Sequence, residues 1–262
     1  WNPLPSLLTV PIMAAWPLYP ELASSGIAGV ILTSLCTAAT AMMLFQHFIS
    51  RGLQTFYGFM LCLLYSLNPF IFLYGSNGMS ESVFILFLVW IIIHLTKWID
   101  KNNLHSLLYI AFSLTLSFLT RYESVAFGFC LAICFALLIW KYLDKQSQQR
   151  TGTYKELYHK LEGTEIVILS PVVFAGLVWI FLNATIMGDP LYFLRSSYSN
   201  LGQAEQLVNN ALISPLMNNP IRAVVYISQR ILPFLLPLGL VIVMRIWRKS
   251  LFQMEFLVLL LL

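Results

Sequence analysis

Long apolar runs separated by short polar segments dominate this chain. Runs of about 20 apolar residues are long enough to cross a bilayer as a helix, and lipid cannot satisfy free backbone groups. The pattern therefore predicts an all-α, polytopic transmembrane helical bundle. We expect about seven complete spans and a truncated last helix, at residues 24–48, 56–74, 83–95 with its flanks, 104–120, 125–140, 166–187, 223–244 and 256–262.

The first 20 residues depart from this pattern. They are apolar but contain prolines at positions 3, 5, 11, 17 and 20, and proline removes a helix donor that hydrocarbon cannot replace. We expect a Pro-rich interfacial helix or a re-entrant segment there. Because the chain starts without a charged leader and stops inside an apolar run, we also expect residues 1–262 to be a single transmembrane domain truncated at both ends.

Composition supports the membrane assignment. The chain is 59% hydrophobic and 10% charged, with a mean hydropathy of +0.79, whereas soluble domains have about 45–50% and 25%. No glycine-rich phosphate loop, zinc-type histidine pair or soluble nucleotide-binding pattern is visible. We expect a multi-pass integral membrane protein, in the plasma membrane of a prokaryote or the endoplasmic reticulum of a eukaryote, with no nucleic-acid partner.

The basic residues fall mainly on one side of the predicted spans, which indicates the cytoplasmic side. Of the 15 Lys and Arg residues, only Arg121, Arg195, Arg222 and Arg230 fall on the other side. Five acids share that non-cytoplasmic side with them: Glu21, Glu81, Glu123, Asp189 and Glu205.

The segment from Asn68 to Glu81 is the first candidate site, because an apolar run opens there into small polar residues and closes on an acid. Asn77 and Ser80 offer amide and hydroxyl groups to a polar ligand. Glu81 directly precedes another apolar run, where a carboxylate is costly. A helix cap by Ser80, with Glu81 in the first helical turn, accounts for the same residues without excluding a site.

The second candidate is Arg121-Tyr122-Glu123, which we expect in a tight turn between antiparallel helices. A structural ion pair is one interpretation. The other is binding of a lipid phosphate, which the fork of an arginine matches well.

Two further clusters follow along the chain. Asp189, Tyr192 and Arg195 belong to a segment that is equally typical of a turn followed by an interfacial helix. Arg222 is explained by snorkelling to lipid headgroups. Arg230 lies about two turns deeper and is therefore a candidate for a polar cavity or a phosphate.

The chain resembles the GT-C glycosyltransferases of the dolichyl-phosphate-mannose protein mannosyltransferase and aminoarabinose transferase type. Each matching motif is short, but the motifs occur in the family's order over most of the chain. They are Trp1-Asn2-Pro3-Leu4-Pro5, Asn68-Pro69 leading to Ser80-Glu81, Arg121-Tyr122-Glu123, and Gly188-Asp189-Pro190-Leu191-Tyr192-Phe193.

The resemblance implies transfer of a sugar from a polyprenyl-phosphate donor to a lipid, glycan or protein acceptor on the non-cytoplasmic side. In the family a carboxylate of the first external loop is the general base, and basic groups, often with a divalent metal, stabilise the departing phosphate. We expect that carboxylate to precede Trp1. Glu81, Arg121 and Glu123 are then supporting catalytic residues, and the substrate-binding candidates are Asn77, Ser80, Tyr122, Asp189, Tyr192, Arg195 and Arg230.

Two alternatives remain open from the sequence. A multi-pass transporter or lipid flippase would also contain intramembrane charges and proline-broken helices, although no inverted repeat is evident. A non-catalytic assembly subunit would share the fold and lack the upstream carboxylate.

Overall fold

The computed structural model describes residues 2–147, 154–196, 199, 202 and 219–249. Within these residues the regular structure is all helical, without strands, which confirms the predicted all-α class. The helices are α1 (Pro3–Met13), α2 (Glu21–Ser24), α3 (Ile27–Ser50), α4 (Thr55–Ser66), α5 (Pro69–Ser76), α6 (Glu81–Lys101), α7 (Leu104–Phe118), α8 (Ser124–Ser147), α9 (Tyr154–Met187), α10 (Tyr192–Arg195) and α11 (Pro220–Trp247).

Four stretches of the described residues are long and apolar enough to cross a membrane, or five if one bent helix pair counts as a single span. The four are Ile27–Ser50, Glu81–Lys101, Ser124–Lys141 and Tyr158–Met187. These helices agree with an integral membrane protein. They do not confirm the predicted number of about seven complete spans.

The predicted span at residues 56–74 is broken, and the sequence explains the break. Helices α4 and α5 meet at an angle of 66°. Pro69 has no N–H to continue α4, and a residue before proline avoids helical angles. Asn68 accordingly has ψ 125°, and its side-chain oxygen accepts a hydrogen bond from the Phe70 N–H at 3.0 Å. One residue thus ends the first helix and caps the second.

The predicted span at residues 104–120 is also shorter than expected. Helix α7 has 15 residues, roughly 22 Å of helix against about 30 Å of bilayer hydrocarbon. It begins at Leu104, where the Asn103 side chain accepts from the His105 N–H at 3.0 Å. Helix α7 packs along α6, and Ile110 and Leu114 are fully buried. It is therefore a core helix of this bundle.

A dry aliphatic and aromatic core joins α6, α7 and α8. Ile91 and Leu95 of α6 are inaccessible to solvent, as are Leu131 and Phe135 of α8. The Trp98 ring meets the Phe135 ring edge to face, with centroids 4.8 Å apart. This core holds the starts of α6 and α8 in a defined arrangement.

Helix α5 is held against α3 by hydroxyl groups. The last carbonyls of a helix have no partner within it, and the Gly75 carbonyl instead accepts from Thr33 Oγ1 at 3.1 Å and Ser34 Oγ at 2.8 Å. A side chain at Gly75 would lie 2.9 Å from Thr37 Oγ1. Small residues and hydroxyls therefore allow these helices the close approach that membrane proteins use.

A second close approach positions the start of α6. Gly78 has φ 73°, and its backbone lies against that of Gly29, where an added Cβ would come within 3.3 Å of the Gly78 carbonyl oxygen. Glycine adopts this φ without steric cost. The turn that leads into Glu81 is thus pressed against the first turn of α3.

The chain divides into two compact units, the first covering residues 2–175 and the second starting at Gly176. The first contains α1 to α8 and the core described above. In the second, α11 begins at Pro220, with the Asn219 side chain accepting from the Arg222 N–H at 3.2 Å.

We predict that Gly75→Val lowers the melting temperature of the purified protein, because the new side chain would collide with Thr37 and pull α5 from its hydroxyl partners. Overpacking of this kind costs about 1–3 kcal/mol. The control is Gly128→Ala in α8, where the nearest side-chain atom lies 3.8 Å from the added Cβ. An alanine there should leave the melting temperature unchanged or raise it. Equal losses in both variants would contradict the packing argument.

Candidate functional site

Arg121 joins two carboxylates from different parts of the first unit. Its Nη1 donates to Glu81 Oε1 at 2.6 Å, and its Nη2 and Nε donate to the two oxygens of Glu123 at 2.8 Å and 3.3 Å. Glu81 is the first residue of α6, and the other two lie in the turn between α7 and α8. The structure thus brings together the three residues that the sequence predicts to support catalysis.

The turn that carries Arg121 is tight, as predicted. The Arg121 N–H donates to the Ser117 carbonyl at 2.8 Å, and the Ser124 N–H donates to the Arg121 carbonyl at 3.3 Å. One chain reversal therefore ends α7, starts α8 and places Arg121 and Glu123 two residues apart. Their side chains can then form a two-point pair, the arrangement that gives arginine–carboxylate contacts their geometric specificity.

The electrostatics follow from these contacts. Hydrogen bonding to Arg121 lowers the pKa of Glu123 from its ordinary value of 4.5. The same hydrogen bond is the largest cause of the raised pKa of Arg121, with a smaller contribution from Glu81. With both acids ionised, the cluster has one positive and two negative groups. The carboxylates occupy three of the five N–H donors of Arg121 and leave two for another acceptor.

One oxygen in this cluster lacks a partner. Glu81 Oε2 is buried and accepts no hydrogen bond from the described residues, whereas both oxygens of Glu123 accept from Arg121. An unsatisfied buried acceptor is costly. Glu81 Oε2 is therefore the carboxylate oxygen of this cluster whose hydrogen-bonding capacity the described residues leave unused.

The start of the chain packs against the same corner. The Asn2 side-chain N–H donates to the Phe118 carbonyl at 2.7 Å, and the Leu4 N–H donates to the Leu119 carbonyl at 3.0 Å. These bonds satisfy carbonyls at the end of α7 that have no partner within the helix. The segment before α1 is thereby attached two to three residues from Arg121.

The other candidates of the first unit lie around this cluster with local partners. The Asn77 side chain accepts from the Met79 N–H at 2.9 Å. Ser80 precedes α6, but its side chain makes no capping hydrogen bond, so the predicted Ser80 cap is absent. The Tyr122 ring lies edge to face with Phe118, at 6.2 Å between centroids. None of these contacts assigns a ligand role.

The candidates of the second unit form a cluster of their own. Asp189 Oδ1 accepts from the Leu191 N–H at 2.9 Å, and Oδ2 pairs with Arg195 Nη1 at 3.2 Å. Tyr192 starts α10 and is exposed. These contacts form a turn followed by a short helix, which is the structural interpretation that the sequence allows for this segment. Arg230 belongs to α11, but its side chain lies outside the described part of the chain.

Comparison with family models gives a match to the dolichyl-phosphate-mannose-protein mannosyltransferase family over residues 9–158. That range covers more than half of the chain and includes Glu81, Arg121 and Glu123. The chain belongs to this family. Its members are membrane glycosyltransferases, and the match supports a GT-C-like architecture for this chain. Comparisons with curated proteins and with solved structures gave no significant match.

The sequence leaves open whether the protein requires a metal ion. Among the described residues, no group of three or more His, Cys, Asp and Glu side chains could hold a metal ion. At the Arg121 cluster there are two carboxylates, and three of their four oxygens already accept from a guanidinium. The cluster therefore does not fit a divalent metal.

Asn2 is the residue that sequence reasoning missed. It stands inside the Trp-Asn-Pro-Leu-Pro segment, and its side chain is nearly inaccessible at 9% exposure. A polar residue between Trp1 and Pro3 in an apolar segment was the available signal. Its hydrogen-bond acceptor is the Phe118 backbone carbonyl, more than 100 residues away in the sequence. Sequence spacing does not reveal such a contact.

We predict that Glu123→Gln lowers the melting temperature at neutral pH and that the loss shrinks in acid. Because the folded-state pKa of Glu123 is depressed, the stabilisation from its charge is present above the ordinary carboxyl pKa and is lost as pH falls through the folded pKa. Glu123 is about half exposed, so the effect should be under about 1 kcal/mol and should weaken with salt. Melting curves of both proteins between neutral pH and the acid range test this. A difference that stays constant with pH would contradict it.

Proposed function

We propose that the protein transfers a sugar from a polyprenyl-phosphate donor to an acceptor hydroxyl on the non-cytoplasmic side of the membrane. Family membership supports the class of reaction. The observation that carries the site is the convergence of Glu81, Arg121 and Glu123 at 2.6–3.3 Å at the end of the bundle where basic residues are scarce. A bundle of about seven spans, as the hydropathy pattern predicts, would place this end at the outer surface.

The distribution of ion pairs supports that orientation. Arg51 and Asp100, which the sequence assigns to the cytoplasmic side, form an ion pair at 2.7 Å. Asp100 lies at the end of α6, whereas Glu81 begins the same helix. The two sets of charges are thus separated by the length of α6, as expected for groups on opposite sides of a membrane.

In the proposed reaction the acceptor oxygen attacks the sugar carbon that bears the phosphate. The bond from that carbon to the phosphate oxygen breaks, and polyprenyl phosphate leaves with the electron pair. The proton of the acceptor hydroxyl passes to a carboxylate. The developing charge on the phosphate is what a preorganised cation can stabilise.

The geometry suggests a different part for each residue. Arg121 directs three of its five N–H donors at carboxylates, and the remaining two can reach a phosphate oxygen. Glu123 acts through Arg121, so it is a positioning residue. Glu81 Oε2 can accept a hydrogen bond from a sugar or acceptor hydroxyl. The resemblance assigns the general base to another carboxylate, so Glu81 has a supporting part.

The remaining candidates belong to binding in this proposal. Asn77, Ser80 and Tyr122 adjoin the Arg121 cluster in sequence and can contact the sugar or the acceptor. Asp189, Tyr192, Arg195 and Arg230 are proposed as contacts for the lipid phosphate or its prenyl chain.

The test is transfer of labelled sugar from a polyprenyl-phosphate donor by the full-length protein in membranes. Arg121→Ala should reduce the rate about 100-fold or more, which is typical for loss of one charge-stabilising donor. Glu81→Gln should reduce it by a smaller factor, because the amide keeps the shape and one acceptor oxygen.

The matched control is Arg51→Ala, which also removes an arginine from an ion pair but at the other end of α6. Its transfer rate should equal that of the unmodified protein. Melting temperatures of all variants distinguish loss of function from unfolding. Wild-type rates in both Arg121→Ala and Glu81→Gln would show that the site lies elsewhere.

A further inference from the structure

A cavity of about 400 Å³ lies between the C-terminal halves of α3 and α6. It is separated from the Arg121 cluster, because Glu81 starts α6 whereas the cavity residues of that helix begin at Trp90. The proposed glycosyl transfer makes no use of it. Its lining residues are Met43, Gln46, His47, Ser50, Trp90, Ile93, His94 and Lys97.

The two helices contribute to the cavity with the same spacing. The lining positions of α3 are 43, 46, 47 and 50, and those of α6 are 90, 93, 94 and 97. Each set follows the i, i+3, i+4, i+7 pattern of one helix face. One face of α3 and one face of α6 therefore lie opposite each other, with the cavity between them.

The lining is amphipathic, and none of its described residues is an acid. Met43, Trp90 and Ile93 supply apolar wall, and the remaining five positions carry hydrogen-bonding groups. Asp100, the acid near this end, is paired with Arg51 at 2.7 Å. Lys97 is exposed and forms no ion pair with an acid among the described residues. The lining thus has a cation that protein carboxylates do not neutralise.

Two imidazoles add N–H donors to the lining beside the Lys97 ammonium group. Nδ1 of His47 and Nδ1 of His94 are both buried, and neither has a hydrogen-bond partner among the described residues. A neutral imidazole carries its proton on one nitrogen, and an unpaired buried N–H is costly. The tautomer protonated at Nε2 is therefore favoured. The His94 ring lies against the Tyr109 ring, with centroids 4.5 Å apart, so its orientation is set by packing.

We propose that this cavity binds the phosphate headgroup of an anionic membrane lipid. Lys97 supplies the positive charge, the neutral imidazoles of His47 and His94 supply N–H donors, and Gln46 and Ser50 can add further hydrogen bonds. The volume lies within the range of about 300–1,000 Å³ that small-molecule sites occupy, so it accommodates a headgroup with its glycerol.

A lipid fits better than free phosphate because of where the cavity lies. Both helices are apolar and long enough to cross a membrane, and the cavity extends from the middle of α6 towards the C-terminal ends of both helices. Trp90 and Met43 form the wall nearer the middle of these helices, where an acyl chain would continue.

The experiment measures lipid bound to the full-length protein purified in an uncharged detergent. Phosphatidylglycerol, phosphatidylcholine and inorganic phosphate are added separately, and native mass spectrometry and melting temperature are recorded. We expect phosphatidylglycerol to be retained and to raise the melting temperature. Phosphatidylcholine at the same concentration should do neither.

The variants separate this site from general attraction to basic residues. Lys97→Gln should weaken phosphatidylglycerol retention about ten-fold, equivalent to about 1.4 kcal/mol. His94→Phe, which keeps a ring against Tyr109, should weaken it as well. Lys101→Gln removes a cation one turn further along α6 that does not line the cavity, and it should bind like the unmodified protein. Lys97→Arg should retain binding.

Three results would overturn the proposal. Equal retention of phosphatidylglycerol and phosphatidylcholine would exclude recognition of the negative charge. Equal losses in Lys97→Gln and Lys101→Gln would exclude this cavity as the site. Stabilisation by inorganic phosphate alone, lost in Lys97→Gln, would identify a soluble phosphate compound instead of a lipid. None of these measurements depends on sugar transfer.

Discussion

A guanidinium bound between two carboxylates organises one end of the first unit. Charges beside apolar helices are tolerated when they are paired, and Arg121 meets that condition through hydrogen bonds to Glu81 and Glu123. Because Glu81 starts α6 while Arg121 and Glu123 precede α8, the pairing requires the two helix starts to lie side by side. The core of α6, α7 and α8 makes that arrangement possible. The geometry of the Arg121 cluster therefore depends on packing several turns away.

The segment that leads into Glu81 is positioned by the need to pair its backbone hydrogen-bonding groups. The break at Pro69 would leave backbone N–H and C=O groups without hydrogen-bond partners among apolar residues. Individual side chains provide those partners. Asn68 caps α5, and Thr33 and Ser34 donate to the Gly75 carbonyl at its other end. Gly29 and Gly78 then allow the two backbones to touch. Without these contacts Glu81 would have no defined position relative to Arg121.

The sequence predicted the helical class and the three residues of the cluster, for identifiable reasons. Long apolar runs have few alternatives in lipid, and the acids and arginines stood out because membrane segments rarely contain them. The span count was less predictable, because hydropathy measures apolar length and is insensitive to a bend. The span predicted at residues 56–74 continues through Pro69, whereas in the structure Asn68 and Pro69 start a new helix at 66° to the first.

The contacts that complete the site were beyond sequence reasoning, because they join distant backbone groups. Asn2 reaches the Phe118 carbonyl across 116 positions, and no periodicity reports such a pair. The bidentate geometry at Glu123 likewise depends on the tight turn after α7. Residue types and spacing can thus nominate a charged cluster, but the unpaired oxygen of Glu81 emerges only when every donor around it is assigned.

The helix dipole accounts for the charged residues at both ends of α6, but the two ends differ in whether those charges are paired within the protein. The helix dipole favours an anion at the first turn and cations at the last, which accounts for Glu81 at one end and for Lys97 and Lys101 at the other. At the first end Arg121 compensates the acids. At the last end the acid Asp100 pairs with Arg51, so among the described residues Lys97 has no paired acid and faces the carbonyl dipoles of the helix end. Partial charges of that kind stabilise a cation without saturating its N–H donors, which leaves Lys97 able to bind an external anion where Arg121 has largely internal partners.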